Sequence, residues 1–138
     1  MVYSDKYRKI FLDTKQIKFG YDRENDLAFI WAYTIWDITE AGATAYAEAF
    51  QKEEYKKIKK IYATDWYLYN SPQVCAQSQM FVDKRGNMLN PDERYLKGEW
   101  EKISTDDISY DICQAVKKYV SERISDIKKM QLNAQRVP

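Results

Sequence analysis

The two cysteines carry the most reactive side chains of this chain. Cys75 lies in a segment typical of a strand, and Cys113 lies beside the apolar stripe of a later helical segment. Cysteines in even number are usually paired in exported proteins, whereas in cytosolic proteins they are usually small buried hydrophobes. A catalytic thiol is disfavoured, because the chain has no histidine to activate it and no CxxC motif. We favour a Cys75–Cys113 disulfide and keep two free thiols as the alternative.

The other motifs do not describe an enzyme. Without histidine, a Ser-His-Asp triad and an imidazole-based zinc site are excluded. Only 4 glycines occur, and no phosphate-binding loop or GxSxG motif is present. The acidic segments 22–26 and 83–93 are typical of polar turns. We therefore predict no catalytic residue, no metal site and no cofactor.

Composition and charge indicate one folded domain and argue against some classes of function. The chain has 138 residues, of which 45% are hydrophobic and 31% charged, which predicts one folded domain over 1–138. The net charge of +1 argues against a nucleic-acid binder. We interpret the basic run Lys56–Lys60 as solvated surface, with an anionic-ligand patch as the alternative. The longest apolar run, 28–36, is too short for a transmembrane helix.

Two segments have helical patterns. Thr105–Met130 has apolar residues at spacings of three and four, with Asp106 and Asp107 in the first turn, so it predicts a helix that lies across a sheet. Residues 39–57 are rich in Ala, Glu and Lys, with Thr39 as the cap of a second helix. An extended excursion with a shorter helix is the alternative there. Residues 131–138 have no periodicity, and we expect them to fray.

The remaining segments predict antiparallel strands separated by turns. The predicted strands are 7–12, 16–20, 27–36, 60–69, 74–83 and 99–103. Segment 27–36 is apolar on both sides, which predicts a central strand, and Gly86 is placed in a tight turn. The predicted fold is α+β: an antiparallel β-sheet of about five to six strands. A long C-terminal helix covers one face, and a helical insertion lies between strands.

Aromatic residues suggest a recognition surface. The chain has 12 tyrosines and 4 tryptophans, residue types that are common at protein interfaces and equally suited to a sheet core. We select Trp31, Trp66, Tyr67 and Tyr69 as the candidate binding surface for a protein partner. Pairing through an exposed strand edge makes a homodimer a further expectation.

Two segments resemble the surface-adhesin protein E family of small exported bacterial proteins. They are Trp66–Leu89 (WYLYNSPQVCAQSQMFVDKRGNML) and Glu99–Tyr119 (EWEKISTDDISYDICQAVKKY). The pattern is a strand with one cysteine, a turn with Phe81, Asp83 and Gly86, the pair Trp100 and Ile103, and then a helix with a second cysteine. The resemblance implies a C-terminal helix tied to the concave face of a sheet by a disulfide. It also implies adhesion to host extracellular matrix proteins.

From these observations we expect a non-enzymatic, exported or surface-associated bacterial binding protein, adhesin-like and of unspecified ligand. The expected location is periplasmic, secreted or at the cell surface, with a signal sequence that the printed chain does not include. The alternative is a cytosolic protein-interaction module, of inhibitor or immunity type, with free thiols. A native start at Met1 would favour this alternative.

Overall fold

The fold is an antiparallel sheet with two α-helices, as the computed structural model shows. It describes the backbone of residues 1–136 and the side chains of residues 1–129 and 131. Within these residues the strands are β1 (Tyr3–Ser4), β2 (Arg8–Leu12), β3 (Lys18–Asp22), β4 (Leu27–Ile38), β5 (Lys60–Leu68), β6 (Gln73–Val82) and β7 (Glu101–Lys102). The helices are α1 (Glu40–Phe50) and α2 (Ile108–Arg136), with 3-10 turns at Thr14–Gln16 and Glu53–Lys57. The sheet curls as a half-barrel, and the predicted α+β fold class is confirmed.

Strand β4 is the centre of the sheet. Of its 12 residues, Phe29–Asp37 pair along one side with β5, and the other side is shared by two shorter strands. The first half of β4 pairs with β3 and the second half pairs with β2, so these two strands occupy successive parts of the same side. The prediction of a central strand is confirmed, because β4 has neighbours on both sides and large side chains on both faces.

The edges of the sheet are short or covered. Beside β6 runs an irregular segment, 87–100, whose backbone bonds to β6 at several points before β7 begins. Within it the buried Asn90 accepts from the Phe81 N–H (2.8 Å) and donates to the Gln79 carbonyl (2.7 Å). At β3, the side-chain amide of Gln131 bonds to both the N–H and the carbonyl of Phe19. Long free edges, which favour pairing with another chain, are therefore not found among the described residues.

Helix α1 begins at the predicted cap. The Thr39 hydroxyl accepts from the Gly42 N–H at 3.1 Å, as expected of an N-cap. The helix ends at Phe50, because Gln51 takes a left-handed conformation with φ +54°. It is therefore shorter than the predicted 39–57, and a 3-10 turn follows. Gly42 is needed for close packing, since a Cβ there would lie 2.1 Å from the Tyr7 carbonyl oxygen.

Helix α2 covers the main core. Its predicted apolar stripe is confirmed, because Ile112, Val116 and Ile127 are buried against residues of β2, β4 and β5. Val120, which the sequence analysis did not include in the stripe, is buried with them. Burial of each such side chain contributes roughly 1.5–3 kcal/mol. The helix begins at Ile108 instead of Thr105 and continues to Arg136. The expectation that residues 131–138 fray stays a prediction. Residues 137–138 lie outside the described residues.

Both helices pack on the same face of the sheet, which we call the helical face. Under α2 it carries Ile30, Ala32 and Tyr67. Under α1 and the 3-10 turn at Glu53–Lys57 it carries Ile38 and Ile61 in a second cluster. Because side chains alternate along strands, the residues between these belong to the opposite face, which we call the open face.

The predicted Cys75–Cys113 disulfide is wrong. Both thiols are buried and unbonded. Cys113 lies in the α2 core on the helical face, whereas Cys75 pairs with Trp66, one residue out of phase with Tyr67, and belongs to the open face. The sheet itself separates the two sulfur atoms. A bond, which needs the Cα atoms within about 7 Å and the Cβ atoms facing each other, would require refolding of one element.

A candidate recognition surface on the open face

Strands β4 and β5 turn a row of large aromatic side chains away from both helices. Trp31 and Tyr33 alternate with the core residues of β4, and Tyr62 and Trp66 do so on β5. Trp31 and Trp66 are direct cross-strand partners. Together with Phe29 and Trp100, these four residues form what we call the open aromatic face. No helix of the described chain packs on it, because the buried residues of α1 and α2 belong to the helical-face clusters.

One part of this face is a half-exposed strip. The ring centroids of Trp31 and Tyr33 are 6.3 Å apart with 21° between their planes, and those of Tyr33 and Tyr62 are 6.2 Å apart with 29°. Partial burial, with smaller contributions from Tyr62 and Asp13, raises the pKa of the Tyr33 hydroxyl, which stays neutral. The Lys18 ammonium lies 4.5 Å from the Trp31 ring centroid, a cation–π contact. The rings are thus held in order before any partner binds.

The other part is a packed cluster around Trp66. Phe29 and Trp66 stack with centroids 4.1 Å apart and planes 11° apart, and Trp100 lies 6.4 Å from Trp66. Phe29 lies over Gly20 on β3, where a Cβ would come within 2.4 Å of its ring. The Trp100 indole N–H donates to Asp22 at 2.9 Å, which fastens the segment before β7 onto this cluster. Such aromatic pairs contribute about 0.5–1.5 kcal/mol beyond their burial.

The acidic turn after β3 has a structural task. The Asp22 carboxylate accepts from the Asn25 side chain (2.8 Å), the Trp100 indole and the Glu24 N–H (3.1 Å). The Asn25 and Trp100 bonds are the main causes that lower the pKa of this carboxyl. Asp22 is therefore ionised, and its oxygens already accept hydrogen bonds from neighbouring residues. This agrees with its interpretation as a polar turn residue.

A cleft of about 800 Å³ opens beside Trp66 and Trp100. The Cys75 thiol lies on its wall, 5% exposed, with the Gln77 side-chain nitrogen 3.2 Å from its sulfur. Burial raises the pKa of this thiol. A buried thiol kept protonated is a poor nucleophile, and Cys75 contributes an apolar part of the wall.

The four predicted surface residues lie at three different places in the fold. Trp31 and Trp66 lie on the open aromatic face, half-buried. Tyr67 points to the helical face and is 1% exposed, so its assignment to a binding surface was wrong. Tyr69 is 42% exposed just after β5, beside α2 residues such as Lys117.

Four residues of the open aromatic face were not among those selected from the sequence: Phe29, Tyr33, Tyr62 and Trp100. Phe29, Tyr33 and Tyr62 lie at the alternate strand positions that Trp31 and Trp66 also occupy, so following that alternation along both strands would have found them. The reason that they were missed is that the pattern does not say which face a helix covers.

Asp65 is another residue that the sequence analysis did not single out. It pairs with Ala32 and Ala76, and therefore its side chain points to the helical face. It has no hydrogen-bond or ion-pair partner among the described residues. Burial raises the pKa of its carboxyl to about 7. The signal was present in the sequence, because Asp65 occupies the same alternate positions of β5 as Ile61, Ala63 and Tyr67.

Comparisons with protein-family models, curated proteins and solved structures found no match for this chain. The resemblance to the surface-adhesin protein E family stays a prediction, and the disulfide that it implied is not formed. Within residues 1–129 and 131, no cluster of three Cys, Asp or Glu side chains is placed to hold a metal ion. No helix in the described part of the chain has the length and apolar character needed to cross a membrane.

Proposed function

We propose that this chain is a non-enzymatic binding domain that recognises a protein partner through its open aromatic face. The observation that carries the proposal is a set of half-exposed tryptophan and tyrosine rings on the side of the sheet that neither helix covers. Tryptophan and tyrosine dominate the residues that contribute most to protein interfaces. Their rings here are held by neighbouring rings and by Lys18, so little conformational entropy is lost on binding.

The kind of partner follows from the shape and chemistry of the face. The strip formed by Trp31, Tyr33 and Tyr62 is apolar in its rings and polar at its hydroxyl and indole groups. A protein surface with aliphatic side chains at its centre and hydrogen-bonding groups around them is complementary to such a strip. A host matrix protein, as the resemblance implies, is one partner of this class.

The cellular location separates two forms of the proposal. Export or attachment to the cell surface rested in part on a disulfide, and that support is lost because the cysteines lie on opposite faces. The unbonded thiols favour the second form, an intracellular inhibitor or immunity-type module. Both forms use the same face, so the test of the face does not depend on the compartment.

The test is photo-cross-linking from the open aromatic face. A photoreactive phenylalanine analogue at position 62 is expressed in the organism that encodes the protein, and the captured partner is purified and identified. Its affinity is then measured for the wild type and for the Trp31→Ala and Tyr33→Ala variants. We expect each variant to bind about 10- to 100-fold more weakly, the loss found for central aromatic residues of interfaces.

Phe50→Ala is the matched control, because Phe50 is 49% exposed and lies on α1, which packs on the helical face. It should leave the affinity unchanged. The proposal is rejected if Phe50→Ala weakens binding as much as the open-face variants, or if those variants bind as the wild type does. Sedimentation of the purified chain tests the expected homodimer, with a second copy as the captured partner in that case.

A further inference from the structure

A basic cleft lies where the strands β5 and β6 meet at one end of the sheet. It encloses about 560 Å³ and is lined by Lys57, Lys59, Asp83, Lys84, Arg85 and Asn87. Four of these six side chains are cationic and one is a carboxylate. They come from two segments that are distant in sequence, the basic run before β5 and the turn after β6.

The antiparallel register creates this cleft. The start of β5 lies opposite the end of β6, and the Lys59 N–H donates to the Val82 carbonyl at 2.8 Å. The chain then turns sharply at residues 83–87, with Gly86 at φ +83°. The turn therefore holds Lys84 and Arg85 beside the lysines that precede β5. All four cations are exposed, so an anion can reach them directly from solvent.

The lysines of the basic run divide into two groups. Lys56 is paired with Glu53 at 2.8 Å, and Lys60 is paired with Asp37 at 3.2 Å. In contrast, the four cations of the cleft make no ion pair with any described residue. The lysines of the run that face away from the cleft are therefore paired with acidic residues, whereas the lysines that face the cleft are unpaired in the described part of the chain.

The single carboxylate among the lining residues of the cleft already accepts hydrogen bonds from the backbone of the turn. Asp83 accepts from the N–H groups of Asn87 and Arg85, both at 2.9 Å. These hydrogen bonds, with Asn87 the largest cause, lower the pKa of the Asp83 carboxyl. Asp83 fixes the shape of the turn and offsets one of the four positive charges, so the cleft has an excess of three.

We propose that this cleft is a binding site for a multivalent phosphate ligand, one with two or more phosphate groups. Ammonium and guanidinium groups make strong charge-assisted hydrogen bonds to phosphate oxygens, and Arg85 can bind two oxygens at once. The volume falls in the range of small-molecule sites. The proposal is independent of the open aromatic face, which uses other residues.

The test uses inorganic tripolyphosphate as the probe, with binding measured by isothermal titration calorimetry at about 0.15 M ionic strength. The variant Lys57→Gln with Arg85→Gln removes two unpaired cations of the cleft. The matched control, Lys56→Gln with Lys60→Gln, removes the same charge from the paired lysines of the same run. Thermal unfolding checks that both variants are folded.

We expect saturable binding to the wild type, at least tenfold weaker binding to the cleft variant and unchanged binding to the control, because only the cleft variant loses charge-assisted hydrogen bonds to the probe. Equal weakening in both variants would indicate unspecific attraction of charge and would overturn the proposal. The absence of saturable binding to the wild type would do the same.

A second experiment distinguishes a lipid headgroup from a free phosphate compound as the ligand. Phosphatidylcholine vesicles with and without a bisphosphorylated inositol lipid are sedimented with the wild type and with both variants. Binding that needs the phosphorylated lipid and the cleft cations identifies a lipid headgroup as the ligand. Tripolyphosphate binding without vesicle binding identifies a free phosphate compound.

Discussion

Removal of the charge of Asp65 should stabilise the protein, and the gain should depend on pH. The carboxyl lies on the helical face between Ala32 and Ala76, two neighbours that cannot hydrogen-bond to it through their side chains. Burial raises its pKa from the ordinary value of 3.8 to about 7. A group of this kind is tolerated when neutral and unfavourable when ionised.

The magnitude follows from linkage between proton binding and folding. Between pH 4 and pH 7 the folded state keeps a proton that the unfolded chain has lost, so stability falls as pH rises through this window. Each pKa unit corresponds to ~1.4 kcal/mol, so the full shift costs up to about 4 kcal/mol above pH 7. Asp65 is not completely buried, and solvent screening reduces this to about 2–4 kcal/mol.

Asp65→Asn is the perturbation, because it keeps the shape of the side chain and removes its titration. Urea unfolding followed by tryptophan fluorescence gives the free energy of unfolding of both proteins at about pH 4.5, 6, 7.5 and 8.5. We expect the smallest difference at pH 4.5, where the unfolded carboxyl has only begun to outcompete the folded one in losing its proton, and a gain for the variant that grows to about 2–4 kcal/mol at pH 7.5 and above. All other groups are common to both proteins, so their titration cancels in the difference.

The control is Asp37→Asn, in which a half-exposed carboxylate paired with Lys60 is neutralised. Exposed ion pairs contribute about 0–1 kcal/mol, so this variant should follow the wild type within that range. A stability difference between Asp65→Asn and the wild type that is the same at every pH would refute the reasoning. So would a wild type that is more stable than the variant at pH 8.5.

Three further predictions concern the packing of the fold. Asn90→Ala leaves two buried backbone groups of β6 without partners, and we expect urea unfolding to show a loss of about 2–4 kcal/mol. Gly42→Ala forces a methyl group against the Tyr7 carbonyl oxygen, so the melting temperature should fall by several degrees, while a melting temperature equal to that of the wild type would contradict the contact. Cys75 and Cys113 should both be alkylated in the unfolded, unreduced protein, and a linked peptide in the mass spectrum would contradict their separation.

Much of the local structure was determined by the sequence. The stripe at spacings of three and four found α2, because an amphipathic helix must bury one side wherever it lies. Thr39 identified the start of α1, and Gly86 identified the turn after β6, since both are requirements of a few neighbouring backbone groups. The long apolar run of β4 predicted its central place, and β4 indeed pairs with β5 along one edge and with β2 and β3 along the other.

The positions of the sites were decided by the tertiary structure alone. Alternation places Cys75 out of phase with Tyr67, but it does not tell which of the two faces the helices cover, and that choice separated the cysteines and buried Tyr67. The basic cleft likewise needs the register that pairs Lys60 with Val82, which depends on pairing between strands. Local sequence specifies the period and the ends of each element, because these depend on neighbouring residues. The face and the register depend on contacts between residues far apart in the chain, and only the folded sheet fixes them.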